Sequence, residues 1–155
     1  MNKEENHSTS REGGSHTKVV VGIDGSNSSL RALRFAARQA QWMDAPLEVV
    51  TAWTFPEKPA PLDITINVQN LEHLMDEALA KLAEIIADEV PTHQRKHAYP
   101  RVFRGTAAKV LLAESADAQL LVVGSRGLGA LEQLLLGSVS ERCVRHAPCP
   151  VTVVP

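Results

Sequence analysis

The sequence predicts an α/β fold in which a doubly wound, five-stranded parallel sheet carries helices on both faces. Two patterns predict it. Short runs rich in Val, Leu and Ile, without polar alternation, are typical of strands buried on both faces. Between these runs lie segments with apolar residues at helical spacing. Strict alternation of strands with helices of crossover length implies a parallel sheet covered on both sides.

The first strand and helix are defined by a clear boundary. Lys18–Asp24 is an apolar, β-branched run that predicts a strand. Gly25 and Ser26 interrupt it, and the Ser26 hydroxyl is well suited to cap a helix because it can accept a free backbone N–H. Apolar residues then recur at helical spacing and predict an amphipathic helix: Leu30, Leu33, Ala37 and Ala40.

The middle of the chain predicts a second strand, a loop, a long helix and a third strand. Leu47–Trp53 is the strand, and Thr54–Asn67, which contains three prolines, is an irregular loop. Apolar positions between Leu71 and Ile86 mark a helix that ends before Pro91. The third strand is predicted near His97–Arg104.

The last part of the chain completes the alternation. Gly105-Thr106 turns into a helix that contains Val110–Leu112. Gln119–Val123 is the fourth and most apolar strand, a helix begins near Ser138, and Val151–Val154 is the last strand. We therefore expect a single domain over residues 18–155. Residues 1–17 have almost no apolar side chains, which predicts a flexible polar tail.

Composition narrows the class of protein without indicating its chemistry. The 155 residues are 44% apolar, and 16 basic and 18 acidic side chains give a net charge of −2. This balance offers no electrostatic reason to expect a nucleic acid or a membrane surface as partner. Two cysteines are no disulfide framework and favour a reducing compartment. The sequence predicts a cytoplasmic protein.

Residues suited to ligand binding follow two of the predicted strands. They are Asp24-Gly25-Ser26 and the glycine-rich stretch Gly124–Gly127. Ligands of open α/β sheets bind beyond the carboxyl ends of the strands, and glycine lets the backbone approach them closely. Further on, Gly137 opens a helix whose free N–H groups favour an anion, and the hydroxyls of Ser138 and Ser140 add donors. A phosphate chain is the predicted occupant.

The spacing Gly-x-x-Gly, nine residues, Gly-Ser resembles the nucleotide-binding signature of the universal stress protein family. Its four positions here are Gly124, Gly127, Gly137 and Ser138. The resemblance extends from Lys18 to Pro155 and includes Asp24-Gly25-Ser26 and His146–Pro150. It implies an ATP-binding, flavodoxin-like domain with strand order 3-2-1-4-5, usually dimeric, that acts in stress adaptation. It also implies that Mg²⁺ commonly accompanies the nucleotide.

By position, the resemblance also implies a nucleotide site. Asp24 corresponds to the residue that meets the adenosine end, and Ala52 to the apolar wall of the adenine pocket. Gly124–Gly127 correspond to the loop over the ribose and phosphates, and Gly137–Ser140 to the triphosphate cradle. The full candidate set is Gly22, Asp24, Ala52, Gly124, Arg126, Gly127, Gly137, Ser138, Val139 and Ser140.

The expected function is that of an ATP-dependent regulator with an unidentified protein partner, and not that of an enzyme. Rapid phosphoryl transfer needs metal ligands, a positioned nucleophile and cationic stabilisation. Between Gly124 and Ser140, Arg126 is the only cation and Glu132 the only carboxylate. P-loop and dinucleotide motifs are absent from the sequence. A slow ATPase or adenylate-handling enzyme is the alternative, and a partner-binding module with a vestigial pocket is a third possibility.

Two further expectations concern metal and assembly. Cys143, His146 and Cys149 are spaced like zinc ligands but lack a fourth, so no metal site is predicted. Cys143 shares the apolar side of its helix with Val139 and should be a buried thiol. Val151–Val154 is an uncharged strand at an edge of the sheet, and exposed edges invite pairing with another chain. A homodimer through this strand is predicted.

Overall fold

A computed structural model describes residues 18–54, 68–128 and 136–155 of the chain. Within these residues strands and helices alternate as predicted. The predicted tail (1–17), most of the proline-containing loop (55–67) and Glu132 lie outside the described residues. The elements are β1 (Lys18–Gly22), α1 (Asn27–Trp42), β2 (Leu47–Trp53), α2 (Val68–Glu89), β3 (Ala98–Arg104), α3 (Ala107–Glu114), β4 (Ala118–Gly124), α4 (Ser138–His146) and β5 (Val151–Val154).

Element boundaries agree with the sequence prediction to within about two residues. β1 ends at Gly22 instead of Asp24, although the Ile23 N–H still donates to the Val50 carbonyl at 2.8 Å. A short 3₁₀ turn at Arg95–His97 precedes β3 and was not predicted. A single turn of this kind has no hydrophobic periodicity, so the apolar pattern cannot indicate it.

The sheet confirms the predicted flavodoxin-like topology. Its five strands lie in the order β3-β2-β1-β4-β5, and every neighbouring pair is parallel. β1 is therefore central, with β2 on one side and β4 on the other. From β1 the chain adds β2 and β3 on one side of the sheet, and then returns to add β4 and β5 on the other side. A crevice forms at such a switch point, between β1 and β4, beyond the carboxyl ends of the strands. We call this side of the sheet the carboxyl edge.

The apolar core has two layers, one on each face of the sheet. Val19 and Val21 of β1 are fully buried in the layer beneath α1 and α2. Val20, between them, is fully buried in the opposite layer with Leu111 of α3 and Cys143 of α4. Since successive side chains of a strand point to opposite faces, an unbroken Val-Val-Val run fills both layers.

α1 begins where the sequence predicted. Ser26 has extended backbone angles, and its hydroxyl accepts the N–H of Ser29 at 3.2 Å. The Ser29 hydroxyl in turn donates to the Ser26 carbonyl at 2.9 Å. These two bonds fix the first turn of α1 directly after β1. The backbone at Asp24, between β1 and α1, therefore has a defined conformation at the carboxyl edge.

The packing of α1 against the sheet can be tested by truncating the side chain of Leu33, which is fully buried. We expect Leu33→Ala to lower the free energy of unfolding by about 2–5 kcal/mol, because the deletion leaves a cavity beneath the helix. Leu74→Ala is a matched control, since Leu74 of α2 is 52% exposed, and it should cost no more than about 0.5 kcal/mol. Urea unfolding measures both, and equal losses would contradict the placement of α1.

Candidate functional site

A cavity of about 550 Å³ opens at the carboxyl edge. This volume is typical of sites for small molecules. The ends of β1, β2 and β4 form its floor, and the first turns of α1, α3 and α4 surround it. All ten candidate residues from the sequence line it: Gly22, Asp24, Ala52, Gly124, Arg126, Gly127, Gly137, Ser138, Val139 and Ser140. The structure thus brings the whole set together, and nucleotide binding by these residues stays a prediction.

Seven lining residues were not predicted, and they fall into three groups. Four are sequence neighbours or strand partners of predicted ones: Ile23, Val50, Val123 and Leu128. A fifth, Ser29, lies in the first turn of α1. The other two, Ala107 and Leu111, belong to α3. The Gly105-Thr106 turn marks where α3 begins, and the predicted strand order places that beginning at the carboxyl edge. Those two observations together could have identified the α3 residues.

The first turn of α4 contributes polar groups to the cavity. Gly137 caps the helix, and its own N–H donates to the Ser125 carbonyl at 2.7 Å. The first N–H with a carbonyl one turn back is that of Glu141, which bonds to Gly137 at 2.9 Å. Helix geometry therefore leaves the N–H groups of Ser138–Ser140 without intrahelical acceptors, and no side-chain cap is present in the described structure. Such a helix start attracts anions.

The Ser140 hydroxyl does not have the role that the sequence suggested. Ser140 is buried, and its Oγ lies 3.0 Å from the Ser125 carbonyl and 2.9 Å from the Gly137 carbonyl. Because both neighbours are acceptors, the single hydroxyl proton is directed at the protein. The expectation that this hydroxyl adds a donor for a ligand is therefore wrong. Ser140 contributes its backbone N–H, whereas the exposed Ser138 keeps its hydroxyl at the cavity.

Gly124 is a glycine for a reason the sequence did not indicate. A Cβ at this position would lie 2.5 Å from Oγ of Ser28 and 2.9 Å from the backbone of Ser28 and Ser29. The end of β4 therefore packs directly against the first turn of α1. We expected this glycine to make room for a ligand, but it makes room for a helix. At Gly137 the nearest atom to an added Cβ would be Cα of Arg126 at 3.4 Å, which leaves space for a methyl group.

The apolar side of the cavity is closed by Leu111. An added Cβ at Gly22 would lie 2.8 Å from Cδ1 of Leu111, so this leucine covers the end of β1. Val50 and Ala52 of β2 line the cavity beside it. Because β2 and β4 flank β1 on opposite sides, this apolar wall and the start of α4 lie on opposite sides of the β1 end.

Asp24 joins the two strand ends at the cavity. Its Oδ1 accepts the N–H of Ser26 at 2.9 Å, and its Oδ2 accepts the N–H of Leu128 at 3.1 Å. Partial burial raises the pKa of this carboxyl, but hydrogen bonds from Ser26, Ser29 and Leu128 outweigh burial and hold the pKa below its ordinary value. Asp24 is therefore ionised at neutral pH.

The end of β5 is bonded directly to the site. The Val154 carbonyl accepts the N–H of Ser125 at 2.7 Å and the hydroxyl of Ser28 at 3.1 Å. Ser125 is the first residue after β4, and Ser28 lies in the first turn of α1. One carbonyl of the edge strand thus connects both elements that border the cavity.

Neither a metal cluster nor a membrane helix is found in the part of the chain that the structure describes. No group of three or more His, Cys, Asp or Glu residues there could hold a metal ion. Cys143 is fully buried as expected, and burial together with the neighbouring Cys149 raises the pKa of its thiol to about 11. No described helix is long and apolar enough to cross a membrane.

Comparison with known proteins decides the family. The sequence-family model of the universal stress protein family matches residues 16–155 of this chain. The chain belongs to the universal stress protein family. Universal stress protein MJ0531 of Methanocaldococcus jannaschii is 34% identical over 146 residues, which are 90% of this chain and 82% of that protein. Universal stress protein Rv2623 of Mycobacterium tuberculosis is 35% identical over 148 residues, or 92% of this chain.

Two details of the comparison bear on function. The chain spans about half the length of the mycobacterial relatives, with 48% of Rv2623 covered. Among solved structures, a universal stress protein in complex with cAMP is 28% identical, with a TM-score of 0.61 over 89% of this chain and 95% of that one. Structural likeness thus extends across nearly the whole described domain.

The packing role of Gly124 predicts a difference between two glycines of the signature. Gly124→Ala should destabilise the fold by about 1–3 kcal/mol, because the methyl group meets backbone atoms that cannot move aside cheaply. Gly137→Ala is the matched control. It should cost no more than about 1 kcal/mol, the effect of a poorer N-cap residue. Thermal unfolding of both variants measures the difference. A Gly124→Ala variant as stable as Gly137→Ala would contradict the contact with α1.

Proposed function

We propose that this universal stress protein binds ATP, with Mg²⁺, in the carboxyl-edge cavity and acts as a nucleotide-dependent regulator in stress adaptation. The observation that carries the proposal is the arrangement of opposite chemistries around the end of β1. Val50 and Ala52 form an apolar wall on the β2 side, with Leu111 over the end of β1, and the uncapped start of α4 lies on the β4 side. A ligand with a flat apolar end and an anionic end matches both.

The ionised Asp24 between these ends supports a nucleoside in one orientation. A carboxylate repels phosphate but accepts hydrogen bonds from hydroxyl or amino groups, so the ribose or base fits beside Asp24. The phosphates then fit at the N–H groups of Ser138–Ser140, where the helix dipole favours negative charge. The related universal stress protein solved with cAMP binds an adenine nucleotide, which favours adenine as the base.

Magnesium would be held mainly by the nucleotide itself. Asp24 is the one carboxylate among the described residues that line the cavity, and each of its oxygens already accepts a backbone N–H. Mg²⁺ commonly keeps several waters and binds through substrate phosphates, so it needs few protein ligands. The cavity is compatible with Mg²⁺-ATP on these terms.

We further propose that ATP is retained instead of being hydrolysed rapidly, and that the bound state is read by a protein partner in the cytoplasm. Asp24 and Arg126 are the charged side chains among the described lining residues. Donors that bind the ground state and the transition state equally do not raise turnover. A slow ATPase or adenylate-handling enzyme is the alternative function.

Replacing Ser138 by proline tests the phosphate end directly. Proline is well tolerated at the first position of a helix, and Gly137 before it already has the extended angles that precede proline (φ −75°, ψ 162°). Ser138→Pro should therefore preserve the fold while removing one N–H and the hydroxyl. By isothermal titration calorimetry with Mg²⁺, we expect ATP affinity to fall about tenfold or more, as for a lost charge-assisted hydrogen bond. Adenosine affinity should stay unchanged.

Ser138→Ala is the matched control, because it removes the hydroxyl but keeps the N–H, and it should bind ATP more tightly than Ser138→Pro. Equal ATP affinity of the proline variant and the unmodified protein would contradict the role of α4. Phosphate release is measured on the same samples. Turnover of about 1 s⁻¹, the lower end of the range usual for enzymes, would favour the alternative function.

We also propose a homodimer joined through β5. This strand pairs with β4 on one side, and all four of its residues are half-exposed. The carbonyls of Pro150 and Val154 accept N–H groups at β4. Since residues alternate in direction along a strand, the backbone groups of Val151 and Val153 face the free edge. An uncharged edge of this kind can pair with a second copy of itself.

Val153→Pro tests this pairing without disturbing the contact with β4. The substitution removes an N–H that faces the free edge, a position at which proline is tolerated in edge strands. Light scattering should show a dimer for the unmodified protein and a monomer for Val153→Pro, whereas Val153→Ala, which keeps the N–H, should remain dimeric. A monomeric unmodified protein, or a dimeric proline variant, would exclude the β5 interface.

A further inference from the structure

The loop that follows β4 has a glycine that neither backbone conformation nor the protein core explains. Gly127 does not have a left-handed φ angle, and among the described residues the only side chain near an added Cβ is that of Asp24. The Cβ would lie 2.6 Å from Oδ2 of Asp24, well inside van der Waals contact. Asp24 therefore occupies the space that any side chain at position 127 would need.

The same carboxylate oxygen holds the next residue of the loop. Oδ2 accepts the N–H of Leu128 at 3.1 Å, a bond between positions 104 apart in sequence. Oδ1 is fixed by the N–H of Ser26 at 2.9 Å, at the start of α1. The carboxylate is the end of a flexible side chain and can move away from a methyl group at position 127. Because the atom that must move is the acceptor of the Leu128 N–H, we expect this movement to weaken that bond.

We propose that Asp24 is a positioning residue for the loop Ser125–Leu128, and that glycine is favoured at position 127 because the Asp24 carboxylate occupies the space of a side chain there. Asp24 then acts on the nucleotide in two ways, by facing it and by fixing the backbone beside it. The effect on affinity rests on the proposed function, whereas the effect on the loop does not.

Other contacts hold the first part of this loop independently of Asp24. The Ser125 carbonyl accepts the N–H of Gly137, and its N–H donates to Val154, both at 2.7 Å. Beyond Ser125, the side-chain contacts to α1 are weaker, since Oγ of Ser26 lies 3.4 Å from the Arg126 carbonyl. The charge-assisted bond from Leu128 to Asp24 is thus a direct restraint on the far end of the loop.

A double-mutant cycle on the ligand-free protein tests the positioning role. Asp24→Ala and Gly127→Ala should each lower the melting temperature by about 2–6 °C, as for one lost hydrogen bond to a charged group. The double variant should be no less stable than the less stable single variant, because both changes weaken or break the same bond. Gly137→Ala is the control, since its Cβ does not meet Asp24, and its effect should add to that of Asp24→Ala.

The chemical shift of the Leu128 amide reports directly on its bond to Asp24. If Asp24 stabilised only other parts of the fold, replacing it would leave this shift unchanged. In ¹H–¹⁵N spectra, its proton should shift upfield in both Asp24→Ala and Gly127→Ala, because both variants weaken or lose the bond to the carboxylate acceptor. The Gly137→Ala spectrum should keep the original position. Additive losses of stability, or an unmoved Leu128 amide, would overturn the proposal.

The same double-mutant cycle can be carried out on ligand binding, by measuring the affinity of each variant for Mg²⁺-ATP. Gly127→Ala should weaken binding about tenfold, or roughly 1.4 kcal/mol. Adding Gly127→Ala to Asp24→Ala should weaken it by less than about twofold further. Multiplicative losses in the cycle would overturn the proposal. If the unmodified protein binds no adenine nucleotide, the proposed function fails, while stability and the Leu128 amide still decide whether Asp24 positions the loop.

Discussion

The site depends on the peptide groups of one buried residue, Ser125, which is 8% exposed. Its N–H donates to the last carbonyl of β5, and its carbonyl accepts the N–H of Gly137 and faces the Ser140 hydroxyl. Three elements distant in sequence therefore meet at a single residue. Because the N–H of Gly137 donates to Ser125, the start of α4 is fixed in position. The next three N–H groups of the helix have no intrahelical partners. An unpaired carbonyl at a buried residue would be costly, so the arrangement is strongly specified.

Most of the fold follows from patterns that the sequence displays openly. Unalternated β-branched runs such as Val19–Val21 identify strands buried on both faces, and Ser26 marks the start of α1. Once parallel strands are expected, Asp24 and Gly124 must lie at one edge, because the carboxyl ends of parallel strands coincide. The position of the cavity was therefore predictable without coordinates, as were the free N–H groups at the start of α4.

What the sequence could not indicate is which atom each residue contacts. The strand order and the Gly105-Thr106 turn place the start of α3 at the carboxyl edge, but they do not indicate that Leu111 covers the end of β1. The glycines of the signature look equivalent in sequence. A side chain at Gly124, however, would collide with the backbone of α1, and one at Gly127 would collide with the carboxylate of Asp24. The proton of Ser140 likewise turns towards the protein, which only the positions of two carbonyls reveal. Glycine spacing therefore indicates tight packing around a site as much as contact with a ligand.

The Val154 carbonyl has a consequence for how a signal could leave the cavity. It accepts hydrogen bonds from both Ser125 and Ser28, so the outermost strand and the two borders of the cavity share one oxygen atom. Any event at the free edge that displaces this atom changes the energy of the cavity, and any occupant that displaces Ser125 changes the energy of the edge. Thermodynamic linkage requires these two effects to be equal in size. A molecule bound at the free edge would then change the affinity of the cavity for its occupant by the same factor by which that occupant changes the affinity of the edge.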